Sequence, residues 1–349
     1  MSIYINGIGN ISAQHTFDKS ILKNGLIQLS GNRYRCIEPD YAQFVDGKQI
    51  RRMSRVIKMG VASSTLAMRE ASLNSPQAII VGTALGCMED TYSFLSKMIQ
   101  YNEEMLSPTA FIHSTHNSIA AQIALLFQCK VYNSTYVHRT ISFESALLDA
   151  MLLLEEGSIE NALIGGIDEI TNTSFEIMNR LGHFKDSEKV TLENFYISGK
   201  GSVAGEGAAF FLLSTSPTEN SYAKIISTET FSFCDPIEIV TAAKAMLVAN
   251  NIDHLDVLLQ GNNGDTEDDK IFNDFAESIQ MSERKLNFKH LCGEYATASA
   301  FALTIAAELL KNENTAEKFG YTLIKKPTAI LIHNQSKGIH HSLTLLAAC

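Results

Sequence analysis

The chain has 349 residues, 45% of them hydrophobic and 19% charged, with a net charge of −10. That balance describes a globular protein long enough for two packed cores or one large layered one, and it excludes general nucleic-acid binding. No apolar run reaches the ~18–20 residues that span a bilayer, and the first residues lack the basic start and apolar block of a secretory leader, so the expected location is the cytoplasm with no membrane partner.

In chain order, residues 3–8 (IYINGI) read as a first strand. Residues 51–71 carry helical periodicity, with Val56, Met59, Gly60, Ser63, Ala67 and Ala71 on one small-residue face. QAIIVGTA (77–84) reads as a short buried strand closed by Gly82 and Gly86, residues 90–105 as a helix, and 114–126 as a further helix opened after the turn at Pro108. Then NSTYVHRTISFESALLDAMLLLEEGSIENALIGGIDE (133–169) reads as strand, turn, apolar helix and a buried strand ending at Gly165-Gly166. Residues 199–214 are a glycine turn running into an apolar strand, and 222–233 another strand. A helix from Asp235-Pro236 to about 250, a buried strand at 255–261, an apolar helix at 296–310 and strands at 328–333 and 342–348 complete the chain. Alternating strands and helices predict an α/β layered fold. STSPTENS breaks the pattern near Ser216-Pro217, which predicts a division into residues 1–216 and 217–349.

The six cysteines (Cys36, Cys87, Cys129, Cys234, Cys292, Cys349) are scattered without a C-x-x-C pair, and so read as reduced buried thiols and not as a disulfide frame or zinc site. The acidic run Asp265, Glu267, Asp268, Asp269 lacks calcium-loop spacing and reads as a solvated loop or helix start. No metal and no cofactor is expected. Arg51, Arg52, Arg55 and Lys58 form the one local basic cluster, either a solvated helix face or a receiver for an acidic partner.

Six segments, in order, resemble the β-ketoacyl-acyl carrier protein synthase family of the thiolase superfamily. They are IYINGIGNIS, RRMSRVIKMGVASSTLAMREA, VGTALGCMEDT, LSPTAFIHSTHNSIAAQIAL, the 133–169 segment and SGKGSVAGEGAAFFLL. The Ser107-Pro108-Thr109, Phe111 and 114–117 pattern is the most specific, and it is similar to catalytically inactive ketosynthase-like subunits, the chain length factors. The resemblance implies a thiolase fold of two similar α/β halves in an αβαβα arrangement, and dimerisation through a strand near the nucleophile turn. It also implies an acidic acyl carrier protein as partner, with Arg51 and Arg52 as its docking patch.

Condensing enzymes of this family use a cysteine thiolate, two histidines and a lysine. Counting back from Gly165-Gly166 puts Thr140 at the cysteine's position. A secondary alcohol is a poor nucleophile without a general base, and the neighbouring hydroxyls Thr135, Ser142 and Ser145 share that difficulty. His138 is the nearby base, and the competing reading makes Thr140 or Ser142 a helix cap before FESALLDA. By the same resemblance Gln260 stands for the first histidine. Lys289 is kept, and Glu294 replaces the second histidine, with an ion pair between Lys289 and Glu294 expected. His340 and His341, in the closing loop NQSKGIHHSL, and Cys87, in the GTALGC turn, are weaker candidates.

Three functions follow. The first is a non-condensing pseudoenzyme that partners an active ketosynthase, like a chain length factor, in fatty acid or polyketide biosynthesis, with aryl polyene pigments one setting. The second is an acyltransferase or 3-oxoacyl-carrier-protein synthase using Thr140 or Ser142 with His138. The third is a homodimeric acyl or carrier-protein binder without chemistry.

Overall fold

The computed structural model describes residues 2–104, 106–185, 190–197 and 199–349. Ten strands, β1 Ile3–Ile11, β2 Ala78–Gly82, β3 Tyr132–Tyr136, β4 Asn161–Asp168, β5 Gly207–Ser214, β6 Lys224–Ser232, β7 Val257–Gln260, β8 Lys285–Asn287, β9 Ala329–Ser336 and β10 His340–Ala347, run in the order β3-β2-β4-β5-β1-β6-β10-β9-β7-β8. The two ends of this order mirror each other. β5 is antiparallel to β1 and to β4, and β2 is parallel to β4 and β3. In the same way β10 is antiparallel to β6 and β9, and β7 is parallel to β9 and β8. Only two residue pairs, Ile3↔Ile225 and Tyr4↔Lys224, join β1 to β6. Ser216 and Pro217 lie in the connection 215–223 between these five-strand units.

The first helices are α1 Ser20–Asn24, α2 Gly47–Ile50, α3 Arg55–Glu70, α4 Met88–Gln100, α5 Pro108–His113, α6 Ser118–Phe127, α7 Ser142–Glu155 and α8 Asn172–Arg180. α9 Pro236–Ala249, α10 Thr266–Ser278, α11 Lys289–Cys292, α12 Ser299–Lys311 and α13 Thr315–Lys318 follow. α3 and α6 cover the outer face of the first unit, and α9 and α10 that of the second. α7 and α12 lie between the two sheets, touching strands of both. This is the αβαβα layering of the thiolase fold. The reason for the central position is composition: α12 presents apolar or small residues all round, and every residue from Ser299 to Leu310 is buried. A central core containing Phe143, Phe211 and Phe301 fills the space between the sheets, with separate cores under α3/α6 and α9/α10.

Three local expectations change. β4 does not stop at Gly165-Gly166 but continues to Asp168. A Cβ at Gly165 would meet the Phe210 ring at 2.4 Å, and one at Gly166 would meet Ala300 Cβ at 2.7 Å, so the pair permits close packing and does not end the strand. α3 begins at Arg55, leaving Arg51 and Arg52 in an exposed turn. Residues 114–126 are not one helix, because α5 ends at His113 and α6 starts at Ser118. The glycine segment runs into the apolar β5 as expected, and on the way makes isolated bridges from Ala204 to Arg33 and Glu294 and from Ser202 to Phe184. Among the described residues, no helix is long and apolar enough to cross a membrane.

Candidate functional site

A cavity of about 470 Å³ opens where the ends of β4 and β9, the turn before α7 and the loops after β7 and α11 converge. Thr140 lines it. The turn carrying Thr140 is a 3-10 turn, Arg139–Ile141, entered by Arg139 at φ 54°, a left-handed conformation for a non-glycine residue. The Thr140 hydroxyl is buried and has no hydrogen-bond partner.

His138 is not on Thr140. Its ring Nδ1 lies 3.0 Å from Ser145 Oγ, and the residue is exposed. Ser142 Oγ accepts from His138 N at 2.8 Å and donates to the Arg139 carbonyl at 2.7 Å. Both lone candidates for capping are thereby corrected: no side chain caps α7, and Ser142 instead ties the 138–142 turn together. The expected pairing of the His138 ring with Thr140 or Ser142 is not assembled; the ring's hydroxyl partner is Ser145.

On the facing wall, Lys289 Nζ lies 2.7 Å from Glu294 Oε2, with Lys289 only 1% exposed. Asn263 Nδ2 donates to the same Glu294 oxygen at 2.9 Å and to Asp268 Oδ2 at 3.1 Å. Lys337 Nζ reaches that Asp268 oxygen at 2.8 Å. The result is a continuous chain, Lys289–Glu294–Asn263–Asp268–Lys337, in which every charge is paired. Gln260 takes no part in it. Its Nε2 meets the Phe272 carbonyl at 2.9 Å and His333 Nδ1 at 3.1 Å, and Asn263, three residues on, lines the cavity in its stead. His341 stacks on His333 at 5.7 Å, and His340 bonds Ser232 at 2.8 Å; neither lines this cavity.

The acidic run is the start of α10, as the helix-start reading expects, but it is not simply solvated: Asp265 and Asp268 are buried, Asp269 is half-buried and Glu267 is exposed. Asp265 caps α10 by accepting from Glu267 N and Asp268 N, and Asp269 accepts from Asn263 N at 2.8 Å. Arg55 leaves the expected basic face, because Nη1 and Nη2 grip Glu206 at 2.7 and 2.6 Å. Burial pulls its pKa down, but Glu206 and Glu38 outweigh that and raise it. Cys87 is fully buried at the start of α4, and burial followed by Asp90 raises its thiol pKa, which disfavours the thiolate.

Sequence reasoning missed three residues. Asp168 is buried and accepts from Thr83 Oγ1, Ala84 N, Leu85 N, Thr297 N and Thr297 Oγ1, tying the β2 loop to the entry of α12. Glu169 lines the cavity and accepts from Glu89 N at 3.3 Å; burial pushes its carboxyl up to about 7. Asn263 is the third. Asp168 and Glu169 come just after the Gly-Gly of β4, separated from it by Ile167, and that proximity is the signal that could have found them.

The profile of the "Beta-ketoacyl synthase, N-terminal domain" family matches residues 35–191. A 3-oxoacyl-[acyl-carrier-protein] synthase 2 of Synechocystis sp. is 22% identical over 218 residues, 60% of this chain and 50% of that protein. The match therefore spans about half the length of this curated relative. The ishigamide ketosynthase/chain length factor superposes with a TM-score of 0.80 at 14% identity, covering 100% of this chain and 99% of that one. A ketosynthase in complex with its chain length factor from Xenorhabdus doucetiae gives 0.75 at 15% identity, covering 100% and 98%. A type II polyketide ketosynthase solved with its acyl-carrier protein gives 0.76 at 14%, covering 100% and 99%. The fold is that of these ketosynthase structures. Residues 35–191 are similar to the N-terminal domain of β-ketoacyl synthases.

Proposed function

We propose that the chain is a non-condensing ketosynthase-like subunit that pairs with an active β-ketoacyl synthase in fatty acid or polyketide assembly, in the manner of a chain length factor. One observation carries this reading. The wall that would hold imidazoles holds the Glu294 carboxylate, already paired with Lys289 and Asn263. Decarboxylative condensation develops negative charge on a thioester oxygen, which two N–H donors stabilise. A carboxylate there opposes that charge, and Thr140 has neither a thiolate nor a base bonded to it.

The unpaired edge of β3 and the exposed Leu95, Ile99, Phe111, Ile112, Leu125 and Val131 support a partner on that side of the first unit. Arg51 and Arg52, exposed and unpaired by the buried network that holds Arg55, fit an acidic carrier protein. The test is co-expression with an active ketosynthase from the same genomic neighbourhood. One-to-one co-purification is expected. A self-sufficient homodimer that ignores that enzyme would support the third reading, an acyl binder without chemistry. The second reading, acyl transfer on Thr140, keeps one observation in its favour: Thr140 lines the cavity and its buried hydroxyl is unpartnered.

A further inference from the structure

A second apolar feature lies on the other five-strand unit, away from the β3 edge. Phe233, Ile237 and Ile339 are 82%, 74% and 40% exposed. Ile237 lines a notch of about 210 Å³ between α9 and α10, together with Val240, Ile271, Phe275 and His341, while Phe233 lies three residues before its lining Pro236 and Ile339 two before its lining His341. The positions 271, 274, 275 and 278 form one face of α10, and Pro236, Ile237 and Val240 the facing edge of α9.

The notch is rigidly built. Phe233 holds φ 58°, a left-handed conformation that a bulky residue adopts at a cost, and its N–H donates to the Ile339 carbonyl at 2.8 Å. Its ring stands edge-on to His340 at 5.9 Å, and His340 Nδ1 is fixed 2.8 Å from Ser232 Oγ. Asp235 then caps α9 by accepting from Ile237 N at 2.9 Å. A strained backbone thus spends energy to hold an aromatic ring in solvent. The exposed charges on the bounding elements are Asp235, Glu238, Glu267, Asp274 and Glu277 against Lys244, Lys270 and Lys337, the last paired with Asp268. The rim is acidic.

We propose that this patch docks a polypeptide partner presenting one large apolar side chain flanked by Lys or Arg. The notch takes the apolar anchor, Phe233 and Ile237 close over its flanks, and the acidic rim selects the basic neighbours. An acidic carrier protein is repelled by the same rim.

The test titrates the full chain with two short labelled peptides that share one apolar core, one flanked by lysines and one by glutamates, and follows anisotropy. The lysine peptide is expected to bind at least about tenfold tighter, and Ile237→Ser and Phe233→Gly are each expected to weaken it by about tenfold or more. Both variants should fold, since Ile237 is exposed and glycine accepts the left-handed φ. Unchanged binding to the variants, equal binding of both peptides, or no binding overturns the proposal. Self-association of the chain that Ile237→Ser abolishes would assign the patch to a second copy and also overturn it.

Discussion

Replacing Glu169 with Gln should stabilise the protein above neutrality and leave it nearly unchanged in mild acid. Glu169 is 5% exposed, and its carboxyl rises from the ordinary 4.5 to about 7, chiefly through burial. Below pH 4.5 the folded and unfolded chains both hold the proton, and the group is neutral in effect. Between 4.5 and 7 the unfolded chain releases it while the folded chain keeps it, so stability falls as pH rises. Above 7 the full penalty of a buried charge is present. At 1.36 kcal/mol per power of ten, that penalty is at most about 3 kcal/mol. Gln keeps an acceptor for Glu89 N–H, so the start of α4 stays capped. Urea unfolding at several pH values from 5 to 8 measures the difference between wild type and variant. A gain for Glu169→Gln that grows with pH toward about 2–3 kcal/mol is expected. A difference that does not depend on pH would refute the reasoning.

Asp168→Ala should cost about 3–5 kcal/mol, read by the same unfolding assay, because it orphans three backbone N–H groups and two hydroxyls at once. Thr140→Cys should create a residue that iodoacetamide labels, seen by peptide mapping, while condensation with malonyl carrier protein stays absent, since Glu294 remains. Phe111→Asp with Ile112→Asp should leave the chain folded but reduce co-purification of the partner ketosynthase by about tenfold or more. Arg51→Glu with Arg52→Glu should weaken carrier-protein binding about tenfold at low salt and much less at high salt.

Layered α/β architecture was legible because the strand and helix periods alternate along the whole chain, and α12 announced its burial by lacking a charge before Glu308. Thr140, Lys289 and Glu294 were named by resemblance to the motifs of a known family, and the fold puts Thr140 and Glu294 on one cavity and Lys289 against Glu294. Gln260 shows where spacing fails. The strand places it correctly, yet the conformation of the following loop brings Asn263 to the cavity, and no local pattern encodes that turn. Arg55 read as surface because Glu206, the carboxylate that buries it, lies in another segment. The acidic run was legible as a helix start but not as a buried one, because Asp268 is met by Lys337 and Asn263, which only the fold brings near. Long-range pairing of charges is what a single sequence conceals.

Intact mass of the purified chain, after incubation with acyl and malonyl carrier proteins, tests the absence of condensing chemistry most directly. The account predicts an unchanged mass and no released carbon dioxide. An acyl adduct mapped to Thr140 would contradict it.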